Sequence, residues 1–126
     1  MKRLENAVRE ILEAALADRG VTLTQYTLLS MVSDVDGMSS ADVARRSSVT
    51  KQATNEIINA LERKALISRS ADAENRRILR IKLTRAGRTV LRSCDLAVDR
   101  SERRFLAKIS ATRLAGLRRT IEILID

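Results

Sequence analysis

The apolar positions of this chain recur at two different spacings. Over 3–19, Leu4, Val8, Ile11, Leu12, Ala15 and Leu16 follow one another at helical intervals, and Gly20 is placed to end the helix. "TLTQ", Thr22 to Gln25, is a capping box that opens a second helix. Tyr26, Leu28, Leu29 and Val32 are its apolar positions, and "DVDG" with Gly37 predicts its exit near Val35. "SSAD", Ser39 to Asp42, reads as the cap of a short helix to about Ser47, with Val43 and Ala44 facing inward. Thr50 reads as the cap of a longer helix from Lys51 to about Lys64. A short helix, a turn and a longer helix make a helix-turn-helix.

Beyond Leu66 the spacing changes from helical to alternating. "LISRS" and "ILRIKL" predict two short strands, the second with Leu79, Ile81 and Leu83 on one face that holds the hairpin to the core. A hairpin after a helix-turn-helix is a winged helix. "TRAG", Thr84 to Gly87, opens a long helix with the stripe Val90, Leu91, Cys94, Val98 and Phe105. Ser110 is placed to cap a last helix carrying Leu114, Leu117, Ile121 and Leu124. The expected class is mainly α (α+β), with about six helices and a two-stranded wing.

Composition agrees with one helical domain. The chain has 126 residues, no proline and four glycines, and 44% of it is hydrophobic. One cysteine excludes an internal disulfide and points to a reducing compartment. With no histidine, His-based catalysis is excluded, and no Ser, Cys or carboxylate constellation suggests an enzyme. No metal or cofactor is expected. No apolar stretch reaches membrane-spanning length and the first residues lack a signal peptide's apolar run, so a cytoplasmic protein without a membrane partner is expected.

Charge changes the picture more. The net charge is +8, and residues 62–92 hold ten Lys/Arg against three Asp/Glu, a local balance of +7. A basic zone so localised fits a polyanionic partner, against the alternative of a solvated face. The near absence of aromatics, Tyr26 and Phe105 alone, argues against stacking of single-stranded bases. A helical wheel of 51–64 sorts Thr54, Ile57, Ile58 and Leu61 to one side and Gln52, Asn55, Glu56, Asn59 and Arg63 to the other. Amides match the donor and acceptor on adenine's edge, so Gln52 and Asn55 are assigned to base edges and Lys51 to a phosphate, against a reading as ordinary surface amides. Glu56 would accept from a cytosine amino group, orient a neighbouring Arg or sit just outside the contact; the working expectation is that it restrains non-specific affinity by repelling phosphates.

With "VTLTQY" (Val21 to Tyr26), the wing "DAENRR" (Asp72 to Arg77) and the exit "LTRAGR" (Leu83 to Arg88) in this order, the chain resembles the MarR family of bacterial transcription regulators. The resemblance implies a homodimeric regulator, a repressor in the first instance, on a pseudo-palindromic stretch of double-stranded DNA. Residues 1–20 and 86–126 would be dimerisation helices and 21–85 the winged DNA-binding lobe. The dimerisation residues would be Leu4, Val8, Ile11, Leu12, Leu117, Ile121 and Leu124. The DNA-binding residues would be Ser39, Ser40, Lys51, Gln52, Asn55, Glu56, Arg69, Arg76 and Arg77, with Arg76 or Arg77 in the minor groove and Arg69, Arg80 and Lys82 beside phosphates. Such proteins are often released by a small phenolic or other lipophilic ligand, and the matching region here would be lined by Tyr26, Leu12 and Leu91. Asn75 stands where the family has a second wing acid, Ser47 where it usually has Leu, and Glu56 where it has Arg. Cys94, on the apolar stripe, is expected to be a buried filler. An interaction module docking an acidic protein is the alternative.

Overall fold

Hydroxyl groups set the start of five helices. In the computed structural model, which describes residues 2–47 and 49–126, Thr22, Thr50, Thr84 and Ser110 accept from the backbone N–H three residues on. Ser39 does the same from Asp42, whose carboxylate accepts the Ser39 N–H in return. Each such cap contributes about 1 kcal/mol. Among the described residues the elements are α1 (Lys2–Leu16), α2 (Leu23–Asp34), α3 (Ser40–Ser47), α4 (Lys51–Arg63), β1 (Ile67–Ala71), β2 (Leu79–Leu83), α5 (Arg85–Leu106) and α6 (Ala111–Ile125). The order and type of elements are those the residue pattern predicts. The first helix stops at Leu16, short of the expected 19, and a turn leads through Gly20 at φ +78°.

The core gathers Leu16, Leu29, Val43, Ile58, Leu61, Ile67, Ile81 and Cys94, all within 2% of full burial. It therefore draws on α1 through α5 and both strands. Because Leu91 and Cys94 of α5 belong to it, the first half of that helix is part of the same body as the winged lobe. No residue of α6 is buried.

The two strands pair antiparallel from Ile67↔Leu83 to Ala71↔Leu79. A third backbone segment joins them: the Ile81 N–H donates to the Met38 carbonyl at 2.8 Å. This anchors the hairpin base to the α2–α3 turn and was not readable from the pattern. The expectation that Leu79, Ile81 and Leu83 all hold the hairpin to the core needs correction. Ile81 is fully buried and Leu83 partly, but Leu79 is 43% exposed. At Leu79 the hairpin has already left the body of the molecule, so alternation continues with nothing beneath it. Ala44, expected inside, is only half-buried.

Two close approaches fix the route from α4 to α5. Ala65 sits at φ 60°, and the N–H groups of Ala65 and Leu66 donate back to the Glu62 and Leu61 carbonyls, a Schellman turn with Ala in the usual glycine position. Gly87, in the first turn of α5, lies against the Leu66 carbonyl. A Cβ there would come within 2.0 Å of that oxygen.

Candidate nucleic-acid interface

The helix-turn-helix exposes the face that the wheel predicts. Thr54, Ile58 and Leu61 are buried, while Lys51, Gln52, Glu56, Asn59 and Arg63 are exposed and Asn55 is half-buried. Lys51 opens the helix beside the Thr50 cap. Ser39 and Ser40 are half-buried at the start of α3, and the Ser39 hydroxyl is already engaged by the Asp42 N–H.

The wing tip is shaped by its own polar side chains. Asp72 Oδ2 accepts from the N–H groups of Glu74 and Asn75 at 3.2 and 3.0 Å, and Asn75 Oδ1 accepts from the Arg77 N–H at 3.2 Å. The backbone closes the loop through Ile78 N–H to the Asn75 carbonyl and Asp72 N–H to the Ile78 carbonyl. Such short-range turns by Asp and Asn replace backbone pairing. The donated N–H groups, with Arg80 nearby, hold the Asp72 carboxyl below the usual carboxylate range. Asn75 thus serves to shape the loop. Among the described residues, the side chains of Arg76 and Arg77 form no ion pair or hydrogen bond and are exposed.

The cations at the wing base, Arg69, Arg80 and Lys82, each have an acidic neighbour. Arg69 Nε and Nη2 grip the two Glu62 carboxylate oxygens at 3.0 and 2.9 Å, and Nη2 also donates to Asn59 Oδ1 at 3.0 Å. This guanidinium keeps the Glu62 carboxyl below its ordinary range. Arg80 Nε donates to Asp72 at 3.3 Å, an Nη donates to the Gly37 carbonyl at 3.3 Å, and Asp42 lies 3.9 Å away. Lys82 lies 3.9 Å from Asp36. Asp36 and Asp42, from outside the +7 zone, thus offset part of it, and the tip carries its unpaired charge. Neither the Arg69 fork nor the Arg80 bridge could be inferred from spacing, because the partners lie on different elements.

The expected effector residues are Tyr26, Leu12 and Leu91. A largely apolar cleft of about 490 Å³ lies between α1, α2, α3 and α4, lined by Val8, Leu12, Leu28, Met31, Val43 and Ile57, with the exposed Arg9 and Arg46 also at its wall. Of the three residues only Leu12 lines it. Tyr26 donates its hydroxyl to Asp95 at 2.6 Å, and burial together with that bond pushes the phenol above its ordinary pKa. Leu91 is buried in the core. Cys94 is fully buried, and burial raises its thiol pKa.

Of the residues assigned to dimerisation, Leu4, Leu117, Ile121 and Leu124 are exposed, the last at 77%. Val8 and Leu12 line the cleft, and Ile11 lies with Ala14, Ala15 and Phe105 along a groove between α1 and α5. Among the described residues no helix is long and apolar enough to cross a membrane.

A family model described as "MarR family" matches residues 19–78. The HTH-type transcriptional repressor Rv2887 of Mycobacterium tuberculosis is 34% identical over 120 residues, covering 95% of this chain and 86% of the relative. This chain belongs to the MarR family. Two solved structures of the M. tuberculosis MarR family protein Rv2887 superpose on it. The complex with DNA matches at TM-score 0.85 and 32% identity, covering 98% of this chain and 92% of that one. The complex with salicylic acid matches at TM-score 0.81 and 33% identity, covering 98% and 91%. As a MarR-family chain, it has a winged helix-turn-helix whose wing loop is tied by Asp72 and whose exit turn requires Gly87.

Proposed function

We propose that two copies of this chain bind one pseudo-palindromic duplex as a transcription repressor and leave it when a small lipophilic acid enters the α1–α4 cleft. The observation that carries this reading is the contact of Arg69 in β1 with Asn59 and Glu62 on α4. It makes the amide-bearing face of α4 and the wing one continuous surface, ending in the two unpaired arginines. Gln52 and Asn55 reach base edges in the major groove, Lys51 a phosphate, and Arg76 or Arg77 the minor groove, where narrow A·T-rich sequence concentrates negative potential. Glu56 lowers attachment to unrelated sequence. Ser39 and Ser40 lie at the start of α3, where their exposed edges meet the sugar–phosphate backbone. Such a regulator works in the cytoplasm and needs no catalytic residue.

Dimerisation falls to residues 1–20 and 86–126, with 21–85 as the DNA-binding lobe. Leu4, Leu117, Ile121 and Leu124, with Ile11, bury their apolar surface against the second copy. Two-fold pairing is the commonest closed arrangement and spaces the two α4 helices about one DNA turn, roughly 34–36 Å, apart. The cleft suits an acid with an apolar body, because Arg46 stands beside an apolar wall, while Arg9 at the same wall pairs with Glu5 at 3.4 Å. The relative solved with salicylic acid and with DNA supports both partners.

The test is a salt titration of binding to a duplex selected by the protein from a randomised pool. Affinity should fall steeply with salt, and Arg76→Ala or Arg77→Ala should reduce the log–log slope by about one. Adding salicylate should lower the wild-type affinity. Failure to protect any duplex at low ionic strength would remove the DNA reading. DNA binding that lipophilic acids leave unchanged would remove only the effector.

A further inference from the structure

The Arg69 side chain is turned toward α4 rather than along the wing. It points from β1 back onto the last two turns of α4. There it gives the Nε–H and both Nη2 hydrogens to Glu62 and Asn59 at 2.9–3.0 Å. A guanidinium held by both carboxylate oxygens has its plane fixed, which a lysine ammonium cannot reproduce. Of the Arg69 side chain, 23% remains exposed, against 42% for Glu62.

A second consequence falls on Asn59. An amide normally offers both a donor and an acceptor, and its orientation is assigned from its partners. Here Oδ1 faces Arg69, so the NH₂ group faces away from the wing. Asn59 is exposed on the face that carries Gln52, Asn55 and Glu56, and among the described residues its NH₂ has no partner. Gln52 and Asn55 are free to present either half of their amides. Asn59 is not.

We propose that Arg69 is a positioning residue rather than a phosphate contact: with Glu62 it braces the wing against the recognition helix, and it turns Asn59 into a donor-only reader of DNA. The chemistry recognised by Asn59 is an acceptor atom, either on a base edge such as purine N7, guanine O6 or thymine O4, or on a phosphate. This inference rests on the duplex-binding reading above. It adds a residue outside the set assigned from the sequence and changes the role of Arg69 within it.

The experiment uses the full chain and two probes, a duplex selected by the wild-type protein from a randomised pool and an unselected random duplex. Affinities are measured across a salt series for wild type, Arg69→Gln, Arg69→Lys, Asn59→Ala and the double variant Arg69→Gln/Asn59→Ala. Arg69→Gln and Arg69→Lys should each weaken the selected duplex about tenfold while leaving the salt slope unchanged, because a fork is lost and no phosphate contact is. Asn59→Ala should weaken it by a similar factor, and the double variant should lose less than the product of the two, since one residue acts through the other. If Asn59 reads a base edge, Asn59→Ala flattens preference at one base pair; if it meets a phosphate, selected and random duplexes weaken alike. Either pattern supports the donor role. Full binding restored by Arg69→Lys, or a slope reduced by about one in Arg69→Gln, would make Arg69 a phosphate contact and overturn the proposal. Undiminished binding by Asn59→Ala would overturn it as well. A wild-type protein that selects no duplex takes down the DNA reading itself.

Discussion

Ile58 on α4 and Ile121 on α6 stand on helices of similar length, 13 and 15 residues, each opened by a hydroxyl cap. One side chain is 0% exposed and the other 45%. Local signals therefore fix where both helices start but not what they pack against. In α4 the apolar side meets α2, α3 and β1 of its own chain. In α6 no apolar residue is buried: Leu114 is half-buried beside the end of α5, Leu117, Ile121, Ile123, Leu124 and Ile125 are exposed, and the last three are each more than three-quarters exposed. A helix of this length gains little stability alone in water, so its order depends on a surface supplied from outside the chain. The proposed second copy is that surface.

The contrast is broken most directly by truncating each isoleucine. Ile58→Ala should cost about 2–5 kcal/mol, the range for deleting a buried branched side chain, whatever the protein concentration. Ile121→Ala should leave the winged lobe almost untouched and instead weaken association. Its Tm should therefore depend on dilution more strongly than that of the wild type. Urea unfolding at two concentrations, with sedimentation to read the assembly, separates the two. A dilution-independent Tm for wild type and Ile121→Ala alike would mean that α6 is ordered without a partner.

The same division explains what could be read from the chain beforehand. Capping boxes and hydroxyl caps are encoded within four residues, so Thr22, Ser39, Thr50, Thr84 and Ser110 marked five helix starts. Helical periodicity sorted Thr54 and Ile58 from Gln52 and Glu56 because both faces lie on one element. What failed was relational. Leu79 alternates correctly yet lies 43% exposed, since no pattern within β2 reports where the body of the protein ends. The acidic neighbours of Arg69, Arg80 and Lys82 were not legible, because Glu62, Asp72 and Asp36 come beside them only when α4, the wing and the α2–α3 turn assemble. Tyr26, Leu12 and Leu91 were grouped on resemblance, and of the three only Leu12 lines the cleft among α1 to α4, which no pattern along the chain outlines.

Within the well-packed region, the join between wing and α5 is the sharpest constraint. The Leu66 carbonyl accepts the Thr84 N–H at 3.1 Å and lies where a Gly87 Cβ would come within 2.0 Å. Gly87→Ala must move either the first turn of α5 or the start of β1, and overpacking of this kind costs about 1–3 kcal/mol. Because β1 carries Arg69 and leads to the wing, the loss should appear in DNA affinity as well as in urea midpoint. An alanine variant as stable as wild type would show that this contact yields without consequence.

The smallest effect tests the join from the opposite side. Ala65 holds φ 60° in the Schellman turn, a conformation that costs an L-residue about 1–2 kcal/mol and glycine almost nothing. Its side chain is exposed, so removing the methyl leaves no cavity. Glycine raises the entropy of the unfolded chain, which takes back about 0.4–1 kcal/mol. Ala65→Gly should therefore stabilise the protein by roughly 0.5–1 kcal/mol, seen as a higher urea midpoint with an unchanged m-value. The Thr84 hydroxyl donates to the Ala65 carbonyl at 2.7 Å and pins the turn in place. The gain should thus shrink in a Thr84→Ala background, where Ala65 is free to relax toward a less strained φ. A gain that stays the same with Thr84 removed would put the strain in the helix end itself rather than in its tie to α5.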